Sequence, residues 1–373
     1  MKPIIISEGL RMFTRNIRVK FSGIEKYNGN DEEICKKIVE DAYNKEKKHY
    51  QVSVQNYPEF YSRDFGWIIQ SLINLGHKKR VVDTLKYALK IYENNDGITV
   101  AISPSEKPFD FPDIYSPDSV TYLFRSLRIA ESKPLILKYK DFLNQEIKRF
   151  EDTVIDKTKG IVVMKNFSGM RDYAIRESSC YDMIMACMLD QEIDKINVLM
   201  KKEVLRNHLK KYSLKNNLIK YYWTGSYFKD ALHDNELSGH CNVYPYWLEI
   251  ITDKKMLESS IKEIEKRRLH EPFPLKYGNI EKKFLWHEFF VKGWEKESVW
   301  GMLGMAYIDI VSRIDKKKAL SYLEQYKKKV LENNGFIEVY DHKGIYYRSA
   351  FYTTDSSMSW AANLCSNSLA TSS

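Results

Sequence analysis

Apolar positions recur at intervals of three and four residues along nearly the whole chain, with charged and polar positions between them. That is the spacing of amphipathic helices, whose apolar side chains must fall on one stripe. The segment 31–50 is representative. It opens with acidic residues, as a helix N-terminus favours, and carries Ile34, Ile38, Ala42 and Tyr43 on one side. The same reading predicts helices over 64–75, 78–94, 117–131, 133–150, 173–189, 191–212, 242–251, 256–267, 295–312, 316–333 and 353–364, which makes twelve.

Short turns such as Gly76-His77 and Ser132-Lys133 fall inside pairs of these segments, and longer loops separate the pairs. Six helical hairpins in a ring need that alternation, with the long loops together on one side and available for a site. No period of about 30–45 residues recurs, which excludes a repeat solenoid. The predicted fold is all-α, an (α/α)6 barrel over residues 31–373. Residues 1–30, with Val19 to Phe21 followed by the Gly23 and Gly29 breaks, are expected to form a short N-terminal arm or hairpin packed on it.

Composition narrows the function classes. Hydrophobic residues at 43% and charged residues at 29% fit a globular chain. The net charge of +9 comes from lysines scattered over 45–48, 201–202 and 316–318 beside acidic residues, so nucleic-acid binding is not expected. Cys35, Cys180, Cys187, Cys241 and Cys365 lack zinc or redox spacing, and His233, His240, His270 and His287 lack metal spacing, so no metal is expected. No phosphate loop, dinucleotide fingerprint or serine elbow appears, and no cofactor is expected. The apolar run of residues 3–6 is too short for a signal peptide, and no window reaches a membrane span, so a cytoplasmic chain is expected. Aromatic residues reach 13%, with 26 Tyr and 7 Trp. Such rings have an apolar face and a polar edge, which suits both a large core and a sugar cleft.

Two segments place carboxylates where chemistry could use them. Glu338 stands in Gly335-Phe336-Ile337-Glu338-Val339-Tyr340, ahead of Gly344 and of Ser356-Ser357-Met358-Ser359-Trp360-Ala361-Ala362. Asp172 stands in Ser168-Gly169-Met170-Arg171-Asp172-Tyr173, at the expected start of the 173–189 helix, where the helix dipole would lower its pKa. Glu177, expected on that helix, is a second choice of acid. By spacing alone Glu338 reads rather as an exposed loop carboxylate and Asp172 as a helix cap.

Taken in order, these motifs resemble the six-hairpin glycosidases, the group of processing α-glucosidases, mannosylglycerate hydrolases and the glucosidase part of glycogen-debranching enzymes. The resemblance covers roughly residues 55–365. It implies that Glu338 is a general base and that a general acid follows Ser-Gly-Met directly, where this chain has Arg171 and then Asp172. It also matches Tyr61-Ser62-Arg63-Asp64-Phe65-Gly66-Trp67, whose Arg63 and Asp64 would bind sugar hydroxyls, and Gly293 to Trp300, whose Trp294 and Trp300 would be sugar platforms. Tyr61, Trp67, Asp118 and Trp223 are further expected sugar contacts. The implied activity is inverting hydrolysis of an α-glucoside or α-mannoside of small size. Inversion needs carboxyls about 6.5–9.5 Å apart with water between them. A phosphorylase, using Lys296 or Arg348 for phosphate, and a non-catalytic sugar-binding protein, suggested by Arg171, are the alternatives.

Overall fold

Two kinds of helix alternate in the computed structural model, which describes residues 3–278 and 284–366. After α1 (Pro3–Ser22) and α2 (Asp31–Asp41) come α3 (Ser62–Asn74), α4 (Lys78–Asn94), α5 (Pro117–Ile129), α6 (Lys133–Lys138), α7 (Lys140–Val154) and α8 (Cys180–Met200). Then follow α9 (Leu214–Tyr222), α10 (Gly239–Trp247), α11 (Lys254–Lys266), α12 (Gly301–Ser312), α13 (Lys316–Asn333) and α14 (Ala361–Cys365). In α12, 10 of 12 residues are buried, from Gly301 through Ile308 and on to Val311. In α13 only Ala319, Tyr322, Leu323, Tyr326 and Val330 are, one stripe of a solvent-facing helix. A helix apolar all round must be enclosed by others, whereas an amphipathic one can form the outer layer.

The enclosed helices, with α13 of the outer layer, pack in a circuit. α3 lies against α5, α5 against α8, α8 against α10 and α10 against α12; α12 packs on α13, α13 on α14, and α14 on α3 again. Among the described residues the short strands lie in the connections, as four antiparallel pairs and one three-stranded antiparallel sheet of Phe60–Tyr61, Ala101–Ile102 and Pro108–Phe109. Val299–Trp300 pairs with Val339–Tyr340, so the loops entering α12 and α14 are tied together at the site.

Several elements differ from the sequence reading. The 31–50 helix stops at Asp41, because Lys48 turns at positive φ and Tyr43–Asn44 pairs with His49–Tyr50. The 133–150 helix breaks at Tyr139 into α6 and α7. The 173–189 helix begins only at Cys180, where Ser179 caps the Asp182 N–H, and it runs past residue 190 until Lys201 adopts a left-handed conformation. No separate helix fills 191–212; α9 follows instead, which the periodicity did not predict. Residues 295–300 are not helical, and of 353–364 only the end is, within α14. Of the arm or hairpin expected over residues 1–30, residues 3–22 are helical rather than a hairpin. They form α1, whose buried Ile5, Arg15, Asn16 and Val19 face the body, and Gly23 is its stop signal, at φ 79 with its N–H on Val19 O at 2.8 Å.

Candidate active site

A cavity of about 520 Å³ opens where the loops before the enclosed helices meet. Its lining includes Tyr61, Arg63, Asp64, Trp67, Asp172, Trp294, Trp300 and Glu338. Trp67 and Asp172, 105 positions apart in sequence, and Asp172 and Trp294, 122 apart, are thus brought together by the circuit of helices rather than by local structure.

Glu338 lies between the 299–300/339–340 strand pairing and the chain at 353–357. Its Oε1 accepts the Tyr57 hydroxyl at 2.9 Å; its Oε2 accepts the Tyr352 hydroxyl at 2.6 Å, the Asp355 N–H at 3.1 Å and the Thr354 hydroxyl at 3.4 Å. Asp355 underlies this cage. It accepts Ser53 Oγ and Asn56 N–H on Oδ2 and Ser357 N–H and Oγ on Oδ1, all at 2.7 Å, so it joins the loop before α3 to the loop before α14. Burial raises Glu338 to about 7, against the pull of its donors, which favour the ionised form.

Asp172 is not at a helix N-terminus. It sits in non-helical chain eight residues before α8, and its carboxyl, about 26% exposed, lines the cavity. Its Oδ1 accepts the Ser168 hydroxyl at 3.2 Å and lies 3.7 Å from Arg63 Nη1. Burial therefore raises its pKa, with Arg63 opposing, where the sequence reading had the helix dipole lowering it. Arg171 turns the other way, fully buried near Asp230 and over the Tyr277 ring. The carboxylate, not the guanidinium, lines the cavity. Glu177 is exposed and precedes α8, so it is removed from the carboxylates of the cavity and does not serve as an acid there.

Arg63 is the hub of the charges on this side of the cavity. Its guanidinium donates to Gly169 O, lies 3.3 Å from Asp118 and 3.7 Å from both Asp64 and Asp172, and covers the Trp67 ring at 5.6 Å. Asp64 also accepts Trp360 Nε1–H at 3.0 Å, and burial lifts it to about 6. Asp118, completely buried, bonds Ser116 and Tyr181 and supports Arg63 from behind rather than lining the cavity. Trp294 and Trp300 stack on each other with centroids 5.3 Å apart. Trp223 packs on Phe228 at the end of α9, away from the cavity, and the sequence expectation for it is corrected. A tryptophan beside aromatic neighbours reads the same in sequence whether it serves a core or a cleft.

By sequence, neither a protein-family model nor a curated protein matches the chain. Solved structures do. A rhamnosidase from Klebsiella oxytoca with rhamnose bound superposes with TM-score 0.62 at 11% identity over 91% of this chain and 64% of the other. A Streptococcus pneumoniae α-mannosidase in complex with α-1,6-mannobiose gives 0.58 at 10% identity, over 98% and 97%. A mannosylglycerate hydrolase from Thermus thermophilus gives 0.58 at 11% identity, over 89% and 99%. The fold is the one these glycosidases share. It is the kind of fold that the resemblance of the sequence motifs implies.

Sequence reasoning passed over Glu295, which lines the cavity. Its two oxygens accept the Tyr173 and Ala174 N–H groups, each at 2.9 Å, so it clamps the chain next to Asp172. Burial raises it to about 7, with Arg171 opposing. A carboxylate between two tryptophans, Trp294 and Lys296-Glu297-Ser298-Val299-Trp300, was the available signal. The Tyr173 phenol, raised first by burial, feels the carboxylates of Asp172, Glu295 and Glu338 together.

Behind the Asp172 loop, Asp230, His240 and Cys241 stand close enough together to hold a metal ion. Arg176 Nη1 lies 3.0 Å from His240 Nε2 and Arg171 3.9 Å from Asp230, so two guanidiniums already neutralise the carboxylate and would repel a divalent cation. The same Arg176 donates to Arg171 O at 3.2 Å, fixing the loop. His233 and His270 lie outside the cavity, and the side chain of His287 lies outside the described residues. Among the described residues no helix is long and apolar enough to cross a membrane.

Proposed function

We propose that the chain is an (α/α)6-barrel glycoside hydrolase that cleaves an α-glycosidic bond with inversion, with Glu338 as general base and Asp172 as general acid. The observation that carries this reading is the pair of carboxyls in one cavity with opposite surroundings. Glu338 has a single protein donor on Oε1, so that oxygen can still accept a proton from water; burial raises the Asp172 pKa, with Arg63 opposing, which favours its role as a proton donor. In the reaction water adds to the anomeric carbon as Glu338 takes its proton, the bond to the leaving oxygen breaks, and Asp172 supplies the proton that oxygen needs. Arg63 and Asp64 would grip the sugar, one as a fork of donors and the other as an acceptor.

The sugar is a glucoside, mannoside or, given the rhamnosidase fold relative, a rhamnoside. Lys296 and Arg348, the cations considered for a phosphate, lie over the Phe284 and Tyr346 rings and do not line the cavity, which favours water over phosphate as the attacking group.

The test is sugar release from α-glucosides, α-mannosides and α-rhamnosides, with the first-formed anomer read by NMR. Glu338→Gln should lose about 10³-fold or more against every substrate. Asp172→Asn should lose about 10²–10⁴-fold with an alkyl leaving group and recover with a glycosyl fluoride, which needs no protonation. Product of retained configuration, or a fully active Glu338→Gln, would refute the mechanism. If Asp172→Asn stays active and Glu295→Gln does not, Glu295 is the acid.

A further inference from the structure

The cavity has two chemically different ends. At the deep end Asp64 and Glu338 are 5% and 2% exposed and surrounded by hydrogen-bonding groups. Toward solvent the wall changes to Ile5, Leu10 and Phe13 of α1 facing Phe111, Phe290 and Phe351. Leu10 is 62% and Phe13 43% exposed, which marks this end as the mouth. The Phe351 ring lies 6.4 Å from that of Phe13 and 5.1 Å from that of Phe290, so the two sides of the mouth touch through aromatic faces.

The mouth also includes charged groups, Glu8 and Glu59, but Arg11 binds both at 2.6 Å and further donates to Asn56 O at 2.8 Å. Their function is to fasten α1. Arg15 adds a bond to Thr353 O at 2.8 Å, next to the chain that cages Glu338, so the apolar wall is fixed relative to the base.

We infer that this outer end binds an apolar aglycone, so that the substrate is a glycoside of a hydrophobic alcohol rather than a sugar joined to a second sugar. The inference rests on the hydrolase reading above. A second sugar ring brings several hydroxyls that each need a partner, and aliphatic and phenylalanine side chains supply none. An alkyl chain or an aromatic ring, in contrast, gains by leaving water for such a wall. Both a lipid-like and an aryl alcohol have this chemistry.

The experiment compares methyl, benzyl and octyl glycosides of the sugar that the enzyme accepts, with the corresponding disaccharide, all below micellar concentration. Methyl, benzyl and octyl alcohols are similar leaving groups, so differences in kcat/KM report the outer end. The expected result is an octyl or benzyl preference over methyl of about 30-fold or more, a fraction of what full burial of the added carbons would give. A higher octyl value marks a lipid-like aglycone and a higher benzyl value an aryl one. In the double variant Leu10→Asn/Phe13→Asn, at positions exposed enough to accept a polar side chain, the preference should fall about tenfold. Equal rates on the three alcohols, or a disaccharide cleaved best, would overturn the inference. Should no glycoside be cleaved, the hydrolase reading fails by itself, and calorimetry decides the outer end. Tighter binding of the octyl than of the methyl glycoside, weakened by the double variant, upholds it; equal binding overturns it.

Discussion

Glu338 is held by neutral donors, two phenols, a threonine hydroxyl and a backbone N–H, with Asp355 bracing them from behind. Asp172 sits instead among full charges: Arg63, shared with Asp64 and Asp118, and behind its loop the Arg171, Arg176, Asp230 and Glu295 network. A neutral cage fixes position without setting a strong local field, so burial dominates the titration of Glu338. In the charged region burial and the guanidinium oppose each other, and removing one charge changes the balance for all its partners. Glu338 should therefore respond to lost donors in small steps and the Asp172 region to lost charges in large ones.

The largest test is Arg63→Met. Three carboxylates would lose their shared cation inside the protein, and uncompensated buried charge costs about 3–5 kcal/mol. Denaturant unfolding should show a loss of that size. In the folded fraction, the alkaline limb of kcat/KM should move upward, because Arg63 is what holds the Asp172 pKa down. A variant as stable as the parent would break the comparison.

How far the sequence carried this picture follows from the same contrast. The helices at 78–94 and 316–333 were legible to the residue because nothing outside their own apolar stripes decides them. Glu338, Arg63, Asp64, Trp294 and Trp300 were legible as cavity residues through short motifs at the ends of helices. The acid region was not. Residues 173–179 have helical spacing, yet their N–H groups are taken by Glu295, 121 residues away for Ala174, and by Asn166. Partners so distant leave no mark on local periodicity, so Glu177 was assigned to a helix that does not exist there and Glu295 was missed. The α1 wall was hidden differently: its stripe Ile6, Leu10, Phe13, Ile17 and Phe21 is exposed, and the hairpin expectation rested on glycines that lie beyond its end.

A smaller effect is expected from Tyr352→Phe. It removes the 2.6 Å donor from Glu338 and nothing charged. The Glu338 pKa should rise by about one unit, the size of a single hydrogen bond to a carboxylate. In its proposed role as base Glu338 must be ionised, so the acid limb of kcat/KM moves up by the same amount and activity at pH 6 drops about tenfold, while the alkaline limb stays in place. Movement of both limbs would mean that the two regions are electrostatically one.

The smallest effect concerns stability. Glu295 loses its proton at about 7 when folded and near 4.5 in its unperturbed state. Between those values the folded protein binds more protons than the unfolded chain, so this group makes stability fall as pH rises through that window, and its share is fully lost only above the folded value. Asp64, raised to about 6, and Glu338, raised to about 7, act in the same direction. The melting temperature should thus be higher at pH 5 than at pH 8. Glu295→Gln removes one contributor and should shrink that difference by about 2–4 °C, whatever it does to the absolute value. Because Glu295 belongs to the charged region, Arg171 should control the effect: Arg171→Met, which takes away the cation that favours ionised Glu295, should steepen the fall, whereas Tyr57→Phe in the neutral cage should leave the Glu295 share unchanged. If the two substitutions shift the slope equally, charge is not what separates the acid side of the cavity from the base side.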